Sequence, residues 1–186
     1  MRPTSPTGMR NGAAAATGPA RDASEVAALV RSAQGGDRMA ASALLDLLTP
    51  YIGRLCGPIA LQDGPDATQE ALIVIFRSLG QLREPAALFG WARVIAVREA
   101  VRIARKAARS VPDPLDDVPA RDDPQLAADV HDVLERLSPA HRAVLVLRDL
   151  EGLDERSVSA LLGVPEPTVR TRLFRARRNF RKAWER

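Results

Sequence analysis

The stretch Asp154–Arg186 admits few folds: it holds two helical patterns broken at Leu162-Gly163-Val164-Pro165, the second studded with arginine. Asp154 suits an N-cap for a short helix that carries Val158, Leu161 and Leu162 inward, and Gly163 sits where a helix-ending residue with positive φ is favoured. A tight corner follows. Counted at about 100° per residue, Val169, Leu173, Ala176, Phe180 and Trp184 form one apolar stripe, so the second helix packs on its neighbours along that line. Its other face carries Thr168, Thr171, Phe174, Arg175 and Arg178, flanked by Arg170, Arg172 and Arg177. That layout suits a helix in the DNA major groove, with central side chains at base edges and outer cations at phosphates. An arginine-rich amphipathic helix is often simply solvated. A phenylalanine opposite the apolar stripe argues against that, because Phe174 is unfavourable in water unless it meets something such as a thymine methyl or the sugar backbone.

Charge supports a polyanion partner. The formal net charge of the 186 residues is only +4, but arginines concentrate at 93–109 and 170–186, with acidic residues elsewhere. Cys56 is the single cysteine, so no internal disulfide forms, and with only His131 and His141 no zinc set is expected. The chain suits a reducing cytosol. No apolar run is expected to be long enough to span a bilayer, and Met1–Ala20 lacks the continuous apolar core of a secretory signal. A cytoplasmic protein without membrane insertion is the expectation.

In chain order, residues 1–22 are rich in Pro, Gly, Thr and Ala without sustained periodicity and read as a disordered tail. Val26, Leu29 and Val30 then have helical spacing, Gly35-Gly36 breaks it, and Met39–Leu48 resumes it; Pro50 starts or interrupts a third segment containing Tyr51, Ile52, Leu55 and Ile59. Gln62-Asp63-Gly64-Pro65 is a turn signal. The helix expected over Asp66–Leu79 puts Ala71, Leu72, Ile75, Phe76 and Leu79 on its core side. Its outer side carries Asp66, Glu70, Ile73 and Arg77, with Gln69 at the edge. This is a solvated face or, because Ile73 and Val74 stand outside the core stripe, a protein-docking one.

Glu84-Pro85 marks a loop or broken helix, and a helix resumes over Phe89–Lys106 with Val94, Val97, Ala100, Val101 and Ala104 inward. Arg98, Arg102 and Arg105 make a basic ridge on it, partly offset by Glu99, and Trp91 and Ile95 lie beside the ridge or in the core. Residues 109–124 repeat proline and aspartate and read as a flexible acidic linker, hence two domains, at 23–108 and 125–186. Leu126–Leu137 has helical spacing through Val130, Val133 and Leu134. Ser138-Pro139 then matches an N-cap followed by proline, opening a helix to about Leu150. The expected fold is all-α, two small helical domains joined by that linker.

No phosphate-cradling glycine loop, His-Glu-x-x-His, Cys-x-x-Cys or glycine-framed nucleophile serine occurs, and Asp116-Asp117 and Asp122-Asp123 stand in a proline-rich setting unsuited to a closed metal site. No enzyme, metal or cofactor is expected.

Several motifs occur together. Leu137-Ser138-Pro139, Ala143-Val144-Leu145-Val146-Leu147-Arg148, Leu150-Glu151-Gly152-Leu153, Leu161-Leu162-Gly163-Val164 and Thr168 to Arg177 resemble region 4 of the σ70-type RNA polymerase sigma factors. Upstream, Ala33-Gln34-Gly35-Gly36-Asp37, Asp66-Ala67-Thr68-Gln69-Glu70-Ala71 and Trp91-Ala92-Arg93-Val94-Ile95-Ala96 resemble region 2 of the same family. With no third domain between them, the layout resembles the extracytoplasmic-function (ECF) group.

The resemblance implies a bacterial, nucleoid-associated subunit that binds core RNA polymerase and directs it to promoters. By motif position, Asp66, Gln69, Glu70, Ile73 and Arg77 dock on the clamp helices of the largest subunit, and the C-terminal domain meets the flap region. Trp91, Arg98, Arg102 and Arg105 serve the −10 element, and Thr168, Arg170, Thr171, Arg172, Phe174, Arg175, Arg177 and Arg178 the −35 element. An anti-sigma factor is a further partner that the resemblance implies. The chain departs from the family pattern at Ala67-Thr68, at Val97-Arg98 and Arg102, and at Pro165 and Pro167, where the start of the recognition helix is expected to shift. Two other readings are a free-standing helix-turn-helix regulator and a degenerate sigma-like interaction module.

Overall fold

The computed structural model describes residues 22–110 and 126–185, with side chains at 22–108 and 130–185. The described residues form eight α-helices with short 3-10 connections and no strand. The linker expected at 109–124 starts later, since a helix runs through Ser110; its residues 111–124 with their aspartate pairs, and residues 1–21 of the tail expected over 1–22, lie outside the described residues.

Helix α1 (Ala23–Gln34) ends at Gly35, and Asp37 caps α2 (Arg38–Ala60) by accepting from the amides of Met39 and Ala40 at 2.9 and 3.2 Å. The expected break at Pro50 does not occur: α2 runs through both Pro50 and Pro58. Proline removes one amide donor. Leu44, Leu47 and Leu48 before it and Tyr51, Ile52 and Leu55 after it are all buried, and only a continuing helix keeps both sets inward. An 18-residue window within Arg38–Gln81 is, against expectation, apolar enough by length and composition to cross a bilayer, and half of it is buried within the molecule. That apolarity serves the core, because α2 is the helix the others surround.

The turn at 61–65 is tighter than a loop. A 3-10 turn (Leu61–Asp63) passes directly into α3 (Gly64–Ser78), two residues earlier than Asp66, with Pro65 in the first turn. The turn packs closely on α2 at Gly64, where a Cβ would lie only 3.0 Å from the Gly57 Cα. On α3 the core side is Ala67, Ala71 and Ile75; Leu72 is half-buried, and Phe76, expected inside, is 52% exposed.

Helix α4 (Leu88–Ser110) follows a 3-10 turn at Pro85–Ala87. Ala92, Ala96, Val97, Ala100, Val101 and Ala104 are buried, whereas Val94, expected among them, is half-buried. The small residues let α4 come close to α2: the buried Cys56 thiol donates to the Ala96 carbonyl at 3.7 Å, and burial pushes its pKa up to about 11.

The C-terminal helices are α5 (Leu126–Glu135), α6 (Pro139–Leu145), α7 (Glu155–Leu162) and α8 (Glu166–Trp184). Val133 and Leu137 are buried, but Val130 is exposed. Ser138 caps α6 as expected, accepting from the His141 amide at 3.4 Å, and a π-helical turn at Val146–Leu150 continues it. Helix α6 packs against α2 and α4, and the π-helical turn against α2, so Val144 and Leu147 share one continuous core with Leu55 and Val97.

Candidate nucleic-acid and polymerase interface

The α7–α8 corner is built as its sequence requires. Asp154 Oδ1 accepts from the Ser157 amide at 2.7 Å, which holds its carboxyl below the usual range, and Gly163 ends α7 with φ 64°. Val158, Leu161, Val169, Leu173 and Ala176 close the corner from within. Helix α8 begins at Glu166, with Pro165 at its cap position and Pro167 in the first turn, where amides lack intrahelical partners anyway.

Along α8 the exposed residues include Arg170, Thr171, Phe174, Arg175, Arg177 and Arg178, while Thr168 is half-buried. Phe174 is 67% exposed. Two of the flanking cations are tethered. Arg170 donates to Glu155 Oε2 through Nε at 3.2 Å and Nη2 at 2.9 Å, and Arg177 donates through Nε and Nη2 to the two oxygens of Asp149 at 3.2 and 2.5 Å. Those carboxylates raise both guanidinium pKa values, whereas Arg175 and Arg178 on the central arc form no ion pair among the described residues. Arg172 differs from expectation: it is half-buried and turns toward α4 instead of joining Phe174. Trp184, expected in the apolar stripe, is 46% exposed and stacks on Phe180 with ring centroids 6.2 Å apart. The stripe is buried only as far as Ala176.

The α4 ridge is formed. Arg98, Arg102 and Arg105 are exposed along it, and the expected offset falls on Arg102, whose Nη2 lies 2.6 Å from Glu99. Trp91 and Ile95 are half-buried and pack against the core. Facing the ridge across a cleft of about 620 Å³ are Leu161, Leu162 and Arg172.

On α3, Asp66, Gln69, Glu70 and Arg77 are exposed and Ile73 is half-exposed. Phe76 extends this face, one helical turn beyond Ile73. Sequence periodicity missed it, because α3 carries apolar residues on most of its circumference and the wheel alone does not say which arc meets α2 and α4.

Two polar groupings tie the C-terminal helices to the N-terminal ones, and no sequence motif singled them out as such. Arg142 is 6% exposed; its Nε donates to the Ile59 carbonyl at the end of α2 at 2.8 Å, and its Nη1 to the carbonyls of Leu137 at 2.7 Å and Leu134 at 3.3 Å. Burial brings its pKa down to about 10. Glu151, with a side chain 9% exposed, accepts from the Tyr51 hydroxyl at 3.3 Å and faces Arg93 Nη1 at 3.5 Å. The Tyr51 ring meets Phe89 edge-on at 5.3 Å, and burial followed by the Glu151 charge pushes its hydroxyl up to about 12. Gln62 also donates to Glu135.

A helix pair with a glycine corner and an outward, arginine-rich second helix defines a helix-turn-helix DNA-binding protein. A family model described as Sigma-70, region 4 matches residues 127–180. The ECF RNA polymerase sigma factor SigE of Mycolicibacterium smegmatis is 37% identical over 131 residues, covering 64% of this chain and 51% of that protein. The RNA polymerase sigma-H factor of Pseudomonas aeruginosa is 32% identical over 182 residues, covering 83% of this chain and 91% of that protein. The ECF RNA polymerase sigma-E factor of Haemophilus influenzae is 29% identical over 177 residues, with 81% and 90% covered. Among solved structures, CnrH in complex with the cytosolic domain of CnrY matches with TM-score 0.60 at 21% identity over 88% of this chain and 98% of that one. The sigma factor RpoE in complex with the anti-sigma factor NepR from Bartonella quintana matches with TM-score 0.60 at 19% identity, over 77% and 96%. These likenesses show the fold. The chain belongs to the ECF group of σ70-type RNA polymerase sigma factors, and its function is to bind core polymerase and direct transcription initiation at promoters.

Proposed function

We propose that the three faces divide the work of promoter recognition, without catalysis by the chain itself. The exposed arc of α8 reads the −35 duplex, with Thr171, Phe174 and Arg175 at base edges and Arg178 at phosphate; Arg170 and Arg177 reach phosphates when DNA displaces Glu155 and Asp149. The α4 ridge, with Arg98, Arg102 and Arg105, tracks the −10 strand beside Trp91. The outer face of α3, with Asp66, Gln69, Glu70, Ile73, Phe76 and Arg77, docks on the clamp helices of the largest polymerase subunit, and the C-terminal helices meet its flap region. In this reading residues 23–108 and 125–186 act as two domains in the cytoplasm, on the nucleoid. An anti-sigma protein is a further partner, supported by the two similar solved structures, one in complex with the cytosolic domain of CnrY and the other with the anti-sigma factor NepR.

The observation that carries this reading is Phe174, a phenylalanine two-thirds exposed at the centre of an arginine-lined helix face. Transcription from a cognate promoter with core polymerase tests it. Arg175→Ala should change discrimination among −35 sequences by about 1–3 kcal/mol, whereas Arg178→Ala should weaken all sequences alike and lower the salt slope by about one. Equal, sequence-independent losses from both variants would overturn the assignment.

A further inference from the structure

The cleft between α4 and the C-terminal helices has two kinds of lining. Its apolar part is wholly aliphatic: Val97 and Val101 of α4, Ala143 of α6, and Leu161 and Leu162 of α7. Its polar part is wholly cationic, with Arg98, Arg102, Arg105 and Lys106 on α4 and Arg172 on α8, and among the described residues no carboxylate lines it. Glu99 offsets Arg102, whereas Arg98, Arg105 and Arg172 form no ion pair among the described residues. Charges of one sign beside walls of low dielectric concentrate the opposite ion. The aliphatic lining then selects among anions. A nucleic-acid strand is held by stacking on aromatic rings as well as by cations, and no ring lines the cleft. A nucleoside phosphate fails on the same ground, because its base finds no ring partner. An aliphatic chain ending in a phosphate or a carboxylate meets both linings at once. Arginine suits that pairing, since its stem lies along apolar surface while its guanidinium donates to the anionic head. The volume, about 620 Å³, falls in the range of roughly 300–1,000 Å³ common to small-molecule sites.

We propose that this cleft binds a single-chain anionic amphiphile, an alkyl or acyl chain with a phosphate or carboxylate head. The chain lies against Val101, Leu161 and Leu162, and the head sits between Arg172 and the α4 arginines. Walls from α4 on one side and from α6 and α7 on the other flank the chain, which selects an amphiphile free in solution over one packed in a bilayer. The site stands apart from promoter binding, since none of its aliphatic residues is assigned to DNA. One consequence does rest on the assignment of α4 to the −10 strand: an amphiphile head on Arg98 and Arg105 takes the cations that the strand needs.

Titration calorimetry of the full chain with decyl phosphate, kept below the concentration at which it forms micelles, tests the site without DNA or polymerase. Decyl phosphate should saturate one site per chain. Inorganic phosphate, and decyltrimethylammonium with the same tail and the opposite charge, should not. Hexyl phosphate should bind more weakly than decyl phosphate, each methylene lost from the aliphatic wall costing up to about fourfold in affinity. Arg172→Gln should weaken decyl phosphate several-fold. Ala140→Glu brings a carboxylate into the cleft from the first turn of α6, where negative charge suits the helix, so it should abolish binding with an unchanged melting temperature. Absence of saturable binding overturns the site, as do equal affinities for hexyl and decyl phosphate or undiminished binding by Ala140→Glu. A separate arm tests the promoter reading: decyl phosphate should displace a labelled −10 single strand from the wild-type chain. A strand that stays bound beside saturating decyl phosphate removes the assignment of α4 and leaves the amphiphile site standing.

Discussion

Gly163 and His141 show how single residues set the working surface. At φ 64° Gly163 occupies the left-handed region with open space around its Cα, so a methyl there meets no neighbour and the cost is conformational alone. Gly163→Ala should therefore destabilise the fold by about 1–2 kcal/mol, seen as a lower melting temperature, and it should tilt α8 relative to α7. His141 reports the charge around it. Burial, then Arg172 and Arg175, lower its pKa from 6.5, so the folded protein resists protonating it. With the folded pKa below the unfolded one, the unfolded state binds more protons as pH drops through 6.5, and stability falls in that window. Melting temperatures taken from pH 7.5 to 5.5 should decline, and His141→Gln should flatten the decline. Asp154 and Glu155, whose pKa values are depressed by hydrogen bonds from Ser157 and Arg170, act in a different window: their contributions are present above the ordinary carboxylate range and vanish only under stronger acid.

Among the elements, α3 carries the clearest division between holding the fold and offering a surface. Ala67, Ala71 and Ile75 are sealed against α2 and α4, whereas Phe76 stands exposed beside Ile73, Gln69 and Arg77. An aromatic ring that contributes little to the core can be removed with little effect on folding, while at the centre of an interface it behaves as an anchor. Phe76→Ala should leave the melting temperature within a degree or two and weaken core-polymerase binding by about tenfold, measured by competition with a labelled wild-type chain. Ile75→Ala should do the reverse, lowering stability by about 2–5 kcal/mol. The helices themselves were legible: the caps at Asp154 and Ser138, the stop at Gly163 and the runs in α4 and α8 follow from local chemistry. Boundaries and facing were less so. Pro50 reads as a break because local propensity opposes helix there, and burial on both sides outweighs it. Trp184 reads as core because the stripe continues, yet its last turn extends past the buried part of α8 and finds only Phe180.

For the molecule as a whole, what could not be read from the sequence is which residues meet across long separations. Tyr51 and Glu151 are 100 positions apart and Ile59 and Arg142 are 83, and neither pair lies in a pattern with a period; the sequence marks each residue as ordinary. The exposure of Phe174 on α8 was legible for the opposite reason, since a misplaced phenylalanine among arginines is a local anomaly. The balance between the Glu151 grouping and the arginines lining the α4 cleft leads to a salt prediction. Of the cleft arginines, Arg102 is offset by Glu99, while Arg98, Arg105 and Arg172 are exposed or half-buried, so added salt screens their mutual repulsion strongly, with a Debye length falling from about 10 Å at 0.1 M to about 3 Å at 1 M. The Glu151 carboxylate is almost wholly withdrawn from water, so its attraction to Arg93 and its bond from Tyr51 weaken less. Salt should therefore draw the cleft walls together, and energy transfer between dyes at Met39→Cys and Ala160→Cys, both exposed positions, should rise between about 0.05 and about 0.5 M. Replacing Arg172 by Gln removes the charge opposite the ridge, so that variant should begin more closed and respond less. A fall in transfer with salt would show that the joint is held mainly by exposed ion pairs, and a flat response in both proteins that the cleft charges do not oppose closure.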